Sequence, residues 1–405
     1  MMAYPRDCIN YLIIILMINI ITVACQPQIP ASRTSNIKLL SAIFRHGDRT
    51  PDNNGHEMYP KDPNLNNNFY PLGLGQLTHK GKNREYELGL HLREQYNEFL
   101  GDIYESKALI ARSTDYDRTK MSLQLVLAGL YPPQGDLIWN KNLLWQPIPT
   151  HYLPSYADVL MIPEECPKYL EKFNNILNST EVQEIMSDFS ELMTNLTRIT
   201  GKNITKSQDM YYLYHTLDAE KSLGATILDE LKAYHPNGPL LEGVLLHYEL
   251  INFNDDLIKL NGGVLLRKIT ENMKAVKENT MAEGRKLFLF SGHETNVAAI
   301  LNALDVYELH VPQYSSCVVI ELHEVDNSYY VKVNYFRGIP AEFKTLTIPG
   351  CEELCPFDRF IELTAPVTPT DDDLKCDKFQ TALYRDKQDK ILNKNFQFTL
   401  VKQFI

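Results

Sequence analysis

Short apolar runs alternate along this chain with longer segments in which apolar residues recur at helical spacing. Leu39 to Phe44 is an apolar run that predicts a buried strand, ended by Gly47 and Pro51. Lys107 to Ala111 predicts a second short strand. The unbroken apolar run from Lys286 to Phe290 is typical of a central parallel strand. Because a helical pattern follows each strand, the order of elements indicates an α/β protein.

The helical patterns have recognisable starts and ends. Thr78 predicts the N-cap of a helix that continues to about Leu100. An apolar stripe predicts one helix from Thr180 to Ile199, ended by Gly201. Further helices are predicted after Thr119, from Asn261 to about Thr280, and after His293, and a strand pair is predicted over Cys317 to Leu322 and Tyr329 to Tyr335.

We therefore expect a three-layer α/β fold, with a mostly parallel sheet, helices on both faces and a mainly helical cap insertion. Prolines cluster after about residue 132, and helical patterns then dominate to about residue 238. The expected divisions are a signal peptide at 1–25, a first part of the core at 26–131, the cap at 132–238, a second part of the core at 239–380, and a C-terminal tail at 381–405.

Charge narrows the classes of partner. The chain has 405 residues and a formal net charge of −11, which argues against a general nucleic-acid binder or a protein held on anionic membranes. Its N-terminus has a weakly basic start at Arg6, an apolar run and small residues near Cys25. This pattern predicts a secretory signal and an extracellular protein without a stable membrane anchor, and an uncleaved anchor is the alternative.

Secretion changes how the cysteines and asparagines are interpreted. Cys8 and Cys25 fall in or beside the signal, and the remaining cysteines should mostly pair in an oxidising compartment. Zinc binding by Cys351 and Cys355 is a weaker alternative, because no His or Cys lies nearby at zinc-finger spacing. Three N-glycosylation sequons indicate one exposed face of the cap; they begin at Asn178, Asn195 and Asn203.

The first predicted strand leads into the most distinctive stretch of the chain, Arg45 to Pro51. Arg45 and Arg49 flank His46, and arginine offers a planar fork of donors that suits phosphate or carboxylate oxygens. Gly47 would let an anion approach the backbone. Nearby cations favour the neutral, nucleophilic form of the histidine. A surface loop whose charges pair with acids elsewhere is the simpler alternative.

The ends of two other strands carry further candidates. Arg112 follows the second strand, and His293 and Glu294 follow the apolar run that ends at Phe290. Open α/β sheets bind ligands beyond the carboxyl ends of their strands, so these side chains should meet. His46 would attack phosphorus, the three arginines and His293 would bind phosphoryl oxygens, and Glu294 would protonate the leaving alcohol. Alternatively, Arg112 pairs with Asp115 or Asp117, and Glu294 caps a helix.

These motifs resemble those of the histidine acid phosphatases of the phosphoglycerate-mutase-like superfamily, and above all the animal branch of prostatic, lysosomal and insect venom enzymes. The resemblance covers roughly residues 36 to 380. It rests on Arg45 to Pro51, Leu77 to Gly81, Arg112 to Asp115, Leu143 to Pro147, Ser291 to Thr295, and Cys351 with Cys355. It implies acid-optimal hydrolysis of phosphomonoesters through a phosphohistidine, no metal or other cofactor, and often a homodimer.

The resemblance also implies the disulfides Cys166–Cys376 and Cys351–Cys355, which leaves Cys317 as the odd thiol. The family commonly has Asp where this chain has Glu294, so the reach of the acid differs. A secreted enzyme fits the signal better than a lysosomal one. A phytase-like phosphatase of the same superfamily and a non-catalytic relative that binds a phosphorylated ligand are the competing functions, although a binding module needs no nucleophile.

Overall fold

The fold is built on a mixed sheet. The computed structural model describes residues 36–52 and 55–376, and the described residues from Ile37 onward belong to one compact unit. The predicted signal peptide and the tail at 381–405 lie outside the described residues. The strands are β1 (Asn36–Arg45), β2 (Leu109–Ser113), β3 (His151–Tyr152), β4 (Leu287–Gly292), β5 (Cys317–Val325), β6 (Ser328–Phe336), β7 (Phe343–Leu346) and β8 (Cys355–Pro356).

The order of strands in the sheet is β3-β2-β4-β1-β5-β6-β7, and β8 pairs with β6. Strands β1, β4, β2 and β3 pair in parallel, whereas β6 pairs antiparallel with β5, β7 and β8. Strands β5 and β6 are joined by a turn in which Asp326 and Asn327 both have positive φ, as a tight hairpin requires. The predicted α/β class is therefore confirmed.

Helices cover both faces of the sheet, because β1 alternates its apolar side chains between two cores. The α-helices are α1 (His79–Leu100), α2 (Asp117–Leu130), α3 (Pro167–Leu177), α4 (Thr180–Asp188), α5 (Ser190–Thr200), α6 (Ser207–Leu223), α7 (Pro239–Leu250), α8 (Asp255–Leu260), α9 (Gly262–Lys277), α10 (Glu294–Ala303) and α11 (Phe357–Thr364). Leu40 and Phe44 pack with α1 and α2, whereas Leu39 and Ile43 pack with α9, α10 and α11. None of these helices combines the length and apolar character needed to cross a bilayer.

The predicted cap segment holds four helices, α3 to α6, and also strand β3. The prediction of a single helix over 180–199 is wrong, because α4 ends at Asp188 and α5 begins at Ser190. Phe189 between them has φ −91° and ψ 1°, which interrupts the helical backbone. Helix α7 shares an apolar cluster with α5 and α6, so the predicted core boundary at 239 falls within continuous packing. The division into core and cap stays a prediction.

Two disulfides join the cysteines as expected. Cys166 bonds Cys376, and Cys351 bonds Cys355. Cys317 is a buried free thiol at the start of β5. Burial raises its pKa, so this thiol stays protonated and behaves as a small apolar residue in the core.

Candidate active site

The carboxyl ends of three adjacent strands meet at one edge of the sheet. Arg45, the last residue of β1, pairs in register with Gly292 of β4, and the His46 N–H donates to the Gly292 carbonyl at 3.0 Å. The Thr114 N–H, just after β2, donates to the Ser291 carbonyl at 3.1 Å. This pairing brings the segments after β1, β2 and β4 together, as parallel strands in one sheet require.

Close packing fixes the loop after β1. A Cβ on Gly47 would lie 2.4 Å from the Gly81 carbonyl oxygen, and a Cβ on Gly81 would lie 2.1 Å from that of Asp48. Thr78 caps α1 by accepting from the Gly81 N–H at 3.0 Å and donates to the Asp48 carbonyl. Two glycines therefore let the first turn of α1 support the loop that carries His46.

His46 is held in one tautomer. Its Nδ1 lies 2.8 Å from the Gly47 carbonyl oxygen, which can only accept, so Nδ1 carries the proton and Nε2 has an unprotonated lone pair. Burial, followed by the charges of Arg118 and Arg45, holds the pKa of His46 well below its usual range. The imidazole is therefore neutral, with Nε2 available as a nucleophile.

Arg118 is an arginine that contacts His46, and the sequence analysis missed it. Its Nε donates to His46 Nε2 at 3.2 Å, and its Nη1 donates to Asp52 Oδ2 at 2.9 Å. Arg118 lies in the first turn of α2, where the N-terminal end of the helix also favours anions. Its position at a helix start directly after a strand is the signal that could have identified it.

Arg112 forms a buried ion pair within the sheet. The predicted strand stopped at Ala111, but β2 continues to Ser113, so Arg112 lies within the sheet between Phe290 of β4 and His151 of β3. Its guanidinium donates to Asp158, which is fully buried. Arg112 is therefore held in an ion pair with Asp158, and its role as a phosphate ligand stays a prediction.

Arg45 and Arg49 are buried and partly paired. Glu57 accepts from both Nη atoms of Arg49, at 2.8 and 2.6 Å. Arg45 donates to the Pro312 carbonyl at 2.8 Å and stacks over Tyr314 at 3.9 Å. Arg45 Nη2 and Arg49 Nε are buried without a hydrogen-bond acceptor among the described residues. Such donors beside a neutral histidine suit an oxyanion ligand.

His293 faces His46 from the neighbouring strand end. The two imidazole rings lie 5.5 Å apart in an edge arrangement, and His293 Nε2 lies 3.0 Å from Thr114 Oγ1. Burial and the charge of Arg118 lower the pKa of His293 to about 3, so the ring is neutral. A neutral imidazole can donate one hydrogen bond to a phosphoryl oxygen.

Glu294 is the first residue of α10, and its carboxyl group points into the site. Arg45 Nε lies 3.0 Å from Oε2, and the Tyr211 hydroxyl donates to Oε1. Burial alone would raise the pKa of Glu294, but the charge of Arg45 outweighs burial and holds the pKa well below its usual range. Without a bound anion the carboxyl group is therefore ionised.

No cluster of His, Cys, Asp and Glu among residues 36–52 and 55–376 could hold a metal ion. The arrangement offers a neutral histidine, arginine donors and a carboxyl group within one buried cluster. That set can bind a phosphoryl group, accept it on nitrogen and exchange a proton with the leaving oxygen.

Comparison with known proteins identifies the family of this chain. Residues 36–335 match the histidine phosphatase superfamily (branch 2). The chain belongs to this family. It is 47% identical over 344 residues to the venom acid phosphatase of Apis mellifera, covering 85% of this chain and 88% of that protein. It is 35% identical to the prostatic acid phosphatase of Bos taurus, covering 85% of this chain and 88% of that protein. It is 33% identical to the lysosomal acid phosphatase of Homo sapiens, covering 86% of this chain and 82% of that protein.

Solved phytase structures share the fold. The phytase of Citrobacter braakii superposes with a TM-score of 0.62 at 16% identity, covering 82% of this chain and 98% of that chain. A phytase of Hafnia alvei bound to myo-inositol hexakis sulphate gives a TM-score of 0.61 at 16% identity, covering 84% and 98%. At this level of identity the likeness establishes the architecture alone.

Proposed function

We propose that this histidine phosphatase is a secreted acid phosphatase that hydrolyses phosphate monoesters through a phosphohistidine formed on His46. The observation that carries the proposal is the single tautomer of His46, which leaves Nε2 unprotonated and 3.2 Å from Arg118 Nε. The acid phosphatases among its relatives support the same substrate class. Arg45, Arg49, Arg118 and His293 would bind the phosphoryl oxygens.

The reaction has two steps. In the first, His46 Nε2 attacks phosphorus, the bond from phosphorus to the leaving oxygen breaks, and Glu294 gives that oxygen its proton. In the second, Glu294 takes a proton from water, the water oxygen attacks the phosphohistidine, and phosphate leaves with the His46 lone pair restored. A bound phosphate adds negative charge beside Glu294 and thereby raises its pKa, so the carboxyl group can be protonated when substrate is present.

The test is hydrolysis of p-nitrophenyl phosphate and of an alkyl phosphate across pH, with and without EDTA. We expect an acidic optimum, no effect of EDTA, and no turnover by His46→Ala. Glu294→Gln should depress hydrolysis of the alkyl ester far more, because a general acid contributes roughly 10²–10⁴-fold when the leaving oxygen needs a proton. A fully active His46→Ala protein would overturn the mechanism, and equal losses on both substrates would make Glu294 structural.

Secretion and glycosylation belong to the same proposal. Asn178 and Asn203 are exposed and Asn195 is half-buried. Mass spectrometry of the protein from insect-cell medium should find the chain without residues 1–25 and with glycan on these asparagines. Intracellular retention of the uncleaved chain would contradict secretion.

We also propose a homodimer, which rests on the family resemblance. Sedimentation equilibrium tests it, and a monomer at micromolar concentration would be the contrary result.

A further inference from the structure

Helix α6 of the proposed cap contacts the carboxyl group that we assign as the proton donor. The Tyr211 hydroxyl donates to Glu294 Oε1, and His215 Nε2 lies 3.8 Å from the same oxygen. The other oxygen, Oε2, faces Arg45 Nε at 3.0 Å. The two oxygens of one carboxylate are therefore held by different parts of the chain, Oε2 by the end of β1 and Oε1 by α6.

Tyr211 is locked in place by its neighbours. Its ring centroid lies 4.5 Å from that of His215, 4.8 Å from that of His247 and 6.0 Å from that of Tyr248. His215 is itself fixed, because its Nε2 lies 3.2 Å from the Tyr248 hydroxyl. These contacts pack the phenol ring on several sides, with its oxygen beside Glu294 Oε1.

The other groups around the carboxyl keep one charge across the acid range. Arg45 and Arg49 remain cationic. Burial lowers the pKa of His215 and His293 to about 3, holds that of His46 well below its usual range, and lowers that of His247 to about 4, so these rings stay neutral at pH 5–7. Burial and the charge of Glu294 raise the pKa of Tyr211 and Tyr248, so both phenols keep their protons.

This arrangement decides which oxygen carries the catalytic proton. A cation 3.0 Å from Oε2 disfavours a proton there, so Oε1 is the oxygen that gains it. Tyr211 donates to Oε1 and so favours the ionised carboxylate. When Oε1 is protonated, it becomes a weaker acceptor and the hydrogen bond from Tyr211 loses strength.

Resting on the proposed function of Glu294 as the acid, we propose that Tyr211 is a positioning residue that holds Glu294 Oε1 toward the leaving group and sets the pH at which this carboxyl group gains its proton. Nothing about Tyr211 in the sequence indicates this role, since it lies in the helical segment far along the chain from either histidine motif. An Asp side chain at position 294 would be shorter by one carbon–carbon bond, about 1.5 Å. Its carboxyl group would therefore lie at a different distance from the Tyr211 hydroxyl.

The experiment measures kcat against pH for an alkyl phosphate with Tyr211→Phe and, as the matched control, Tyr212→Phe. Tyr212 is the next residue of α6, and its hydroxyl accepts from Gln208 Nε2 at 3.4 Å. Loss of a hydrogen bond to the carboxylate should raise the pKa of Glu294 by about one to two units. Tyr211→Phe should therefore move the alkaline limb of the profile to higher pH by about that amount. Tyr212→Phe should leave the limb where it is.

A second replacement covers the case in which Tyr211→Phe folds poorly. Site-specific 3-fluorotyrosine at position 211 keeps the ring and the hydroxyl and makes the hydroxyl a stronger donor, so the alkaline limb should move downward. The role of Tyr211 would be overturned if the alkaline limb stayed in place in both Tyr211→Phe and the 3-fluorotyrosine protein. An equal shift of the limb in Tyr212→Phe would overturn it as well.

Glu294→Gln separates this proposal from the proposed function. If Glu294→Gln flattens the alkaline limb and Tyr211→Phe fails to move it, the general acid stands and the positioning role falls. If Glu294→Gln leaves the limb unchanged, the assignment of the acid itself is wrong. We expect Tyr211→Phe to add no further change to the pH profile of Glu294→Gln.

Discussion

The two arginines that flank the connection between β2 and α2 have different partners. Arg112 lies within β2 and forms a buried ion pair with Asp158, whereas Arg118 lies in α2 and donates to His46 Nε2. The chemistry of a guanidinium is the same in both positions. What differs is the position relative to the end of β2. Arg112 lies before that end and contacts Asp158, whereas Arg118 lies after it and contacts His46.

Replacing each arginine by alanine should separate the two roles. Arg118→Ala removes a donor beside the attacked phosphoryl group, so we expect kcat on p-nitrophenyl phosphate to fall by about 10²–10³-fold with little loss of stability. Arg112→Ala leaves Asp158 buried without its cation, so we expect the free energy of unfolding to fall by about 3–5 kcal/mol. Steady-state kinetics and denaturant unfolding of both variants provide the test, and a reversed pattern would return the phosphate-binding role to Arg112.

Local sequence was enough to predict residues that follow one another at a strand end. Arg45, His46, Arg49, His293 and Glu294 are brought together because β1 and β4 are neighbours, and both strands could be predicted from their apolar runs. Arg118 was missed because its role depends on where β2 ends, and the apolar pattern placed that end two residues early. Glu57, Asp52 and Tyr211 orient the site through contacts that no spacing rule gives.

At the scale of elements, α1 supports the loop that carries His46 by close backbone contact. Gly81 lies against Asp48 of that loop, whereas Gly89, farther along the same helix, lies against Val126 of α2. A Cβ would lie 2.1 Å from backbone oxygen at Gly81 and 2.2 Å at Gly89. The two positions are therefore equally crowded, but only one contacts the loop that carries His46.

Gly81→Ala and Gly89→Ala form a matched pair. Overpacking costs about 1–3 kcal/mol, so both variants should lose stability by a similar amount. Only Gly81→Ala displaces the loop, so we expect its kcat to fall at least tenfold in folded protein while Gly89→Ala keeps the kcat of the parent. Equal kcat values for the two variants, after correction for the folded fraction, would show that the glycine contact does not position His46.

The helices outside the sheet show the limit of periodicity. The apolar stripe from Val182 to Leu196 continues across the break at Phe189, so the pattern predicted the buried face but not the interruption. Backbone dihedrals at one residue decide that interruption, and the hydrophobic pattern does not report them. The approach of α6 to Glu294 is likewise tertiary, because it depends on how the helices pack together.

At the scale of the whole molecule, the two disulfides close very different lengths of chain. Cys166 and Cys376 are separated by 210 residues and join the segment before α3 to the last described residue. Cys351 and Cys355 are separated by 4 residues. In the chain-entropy account, closing the longer loop constrains the unfolded state more.

Removing the two disulfides separately should therefore give unequal losses. We expect the pair Cys166→Ser and Cys376→Ser to lower the free energy of unfolding by about 2–5 kcal/mol. The pair Cys351→Ser and Cys355→Ser should cost less, and Cys317→Ser serves as the control for a cysteine without a disulfide. A larger loss from the short loop, measured by denaturant unfolding under non-reducing conditions, would contradict this ranking.

The central claim is that the phosphoryl group passes through His46 Nε2. Rapid mixing with ³²P-labelled phosphomonoester, followed by an alkaline quench that preserves phosphohistidine, should trap label on the peptide that contains His46, at a rate equal to or faster than turnover. Arg112→Ala should still trap the label, and His46→Ala should not. Turnover without labelled protein, or label on a peptide that lacks His46, would contradict the account.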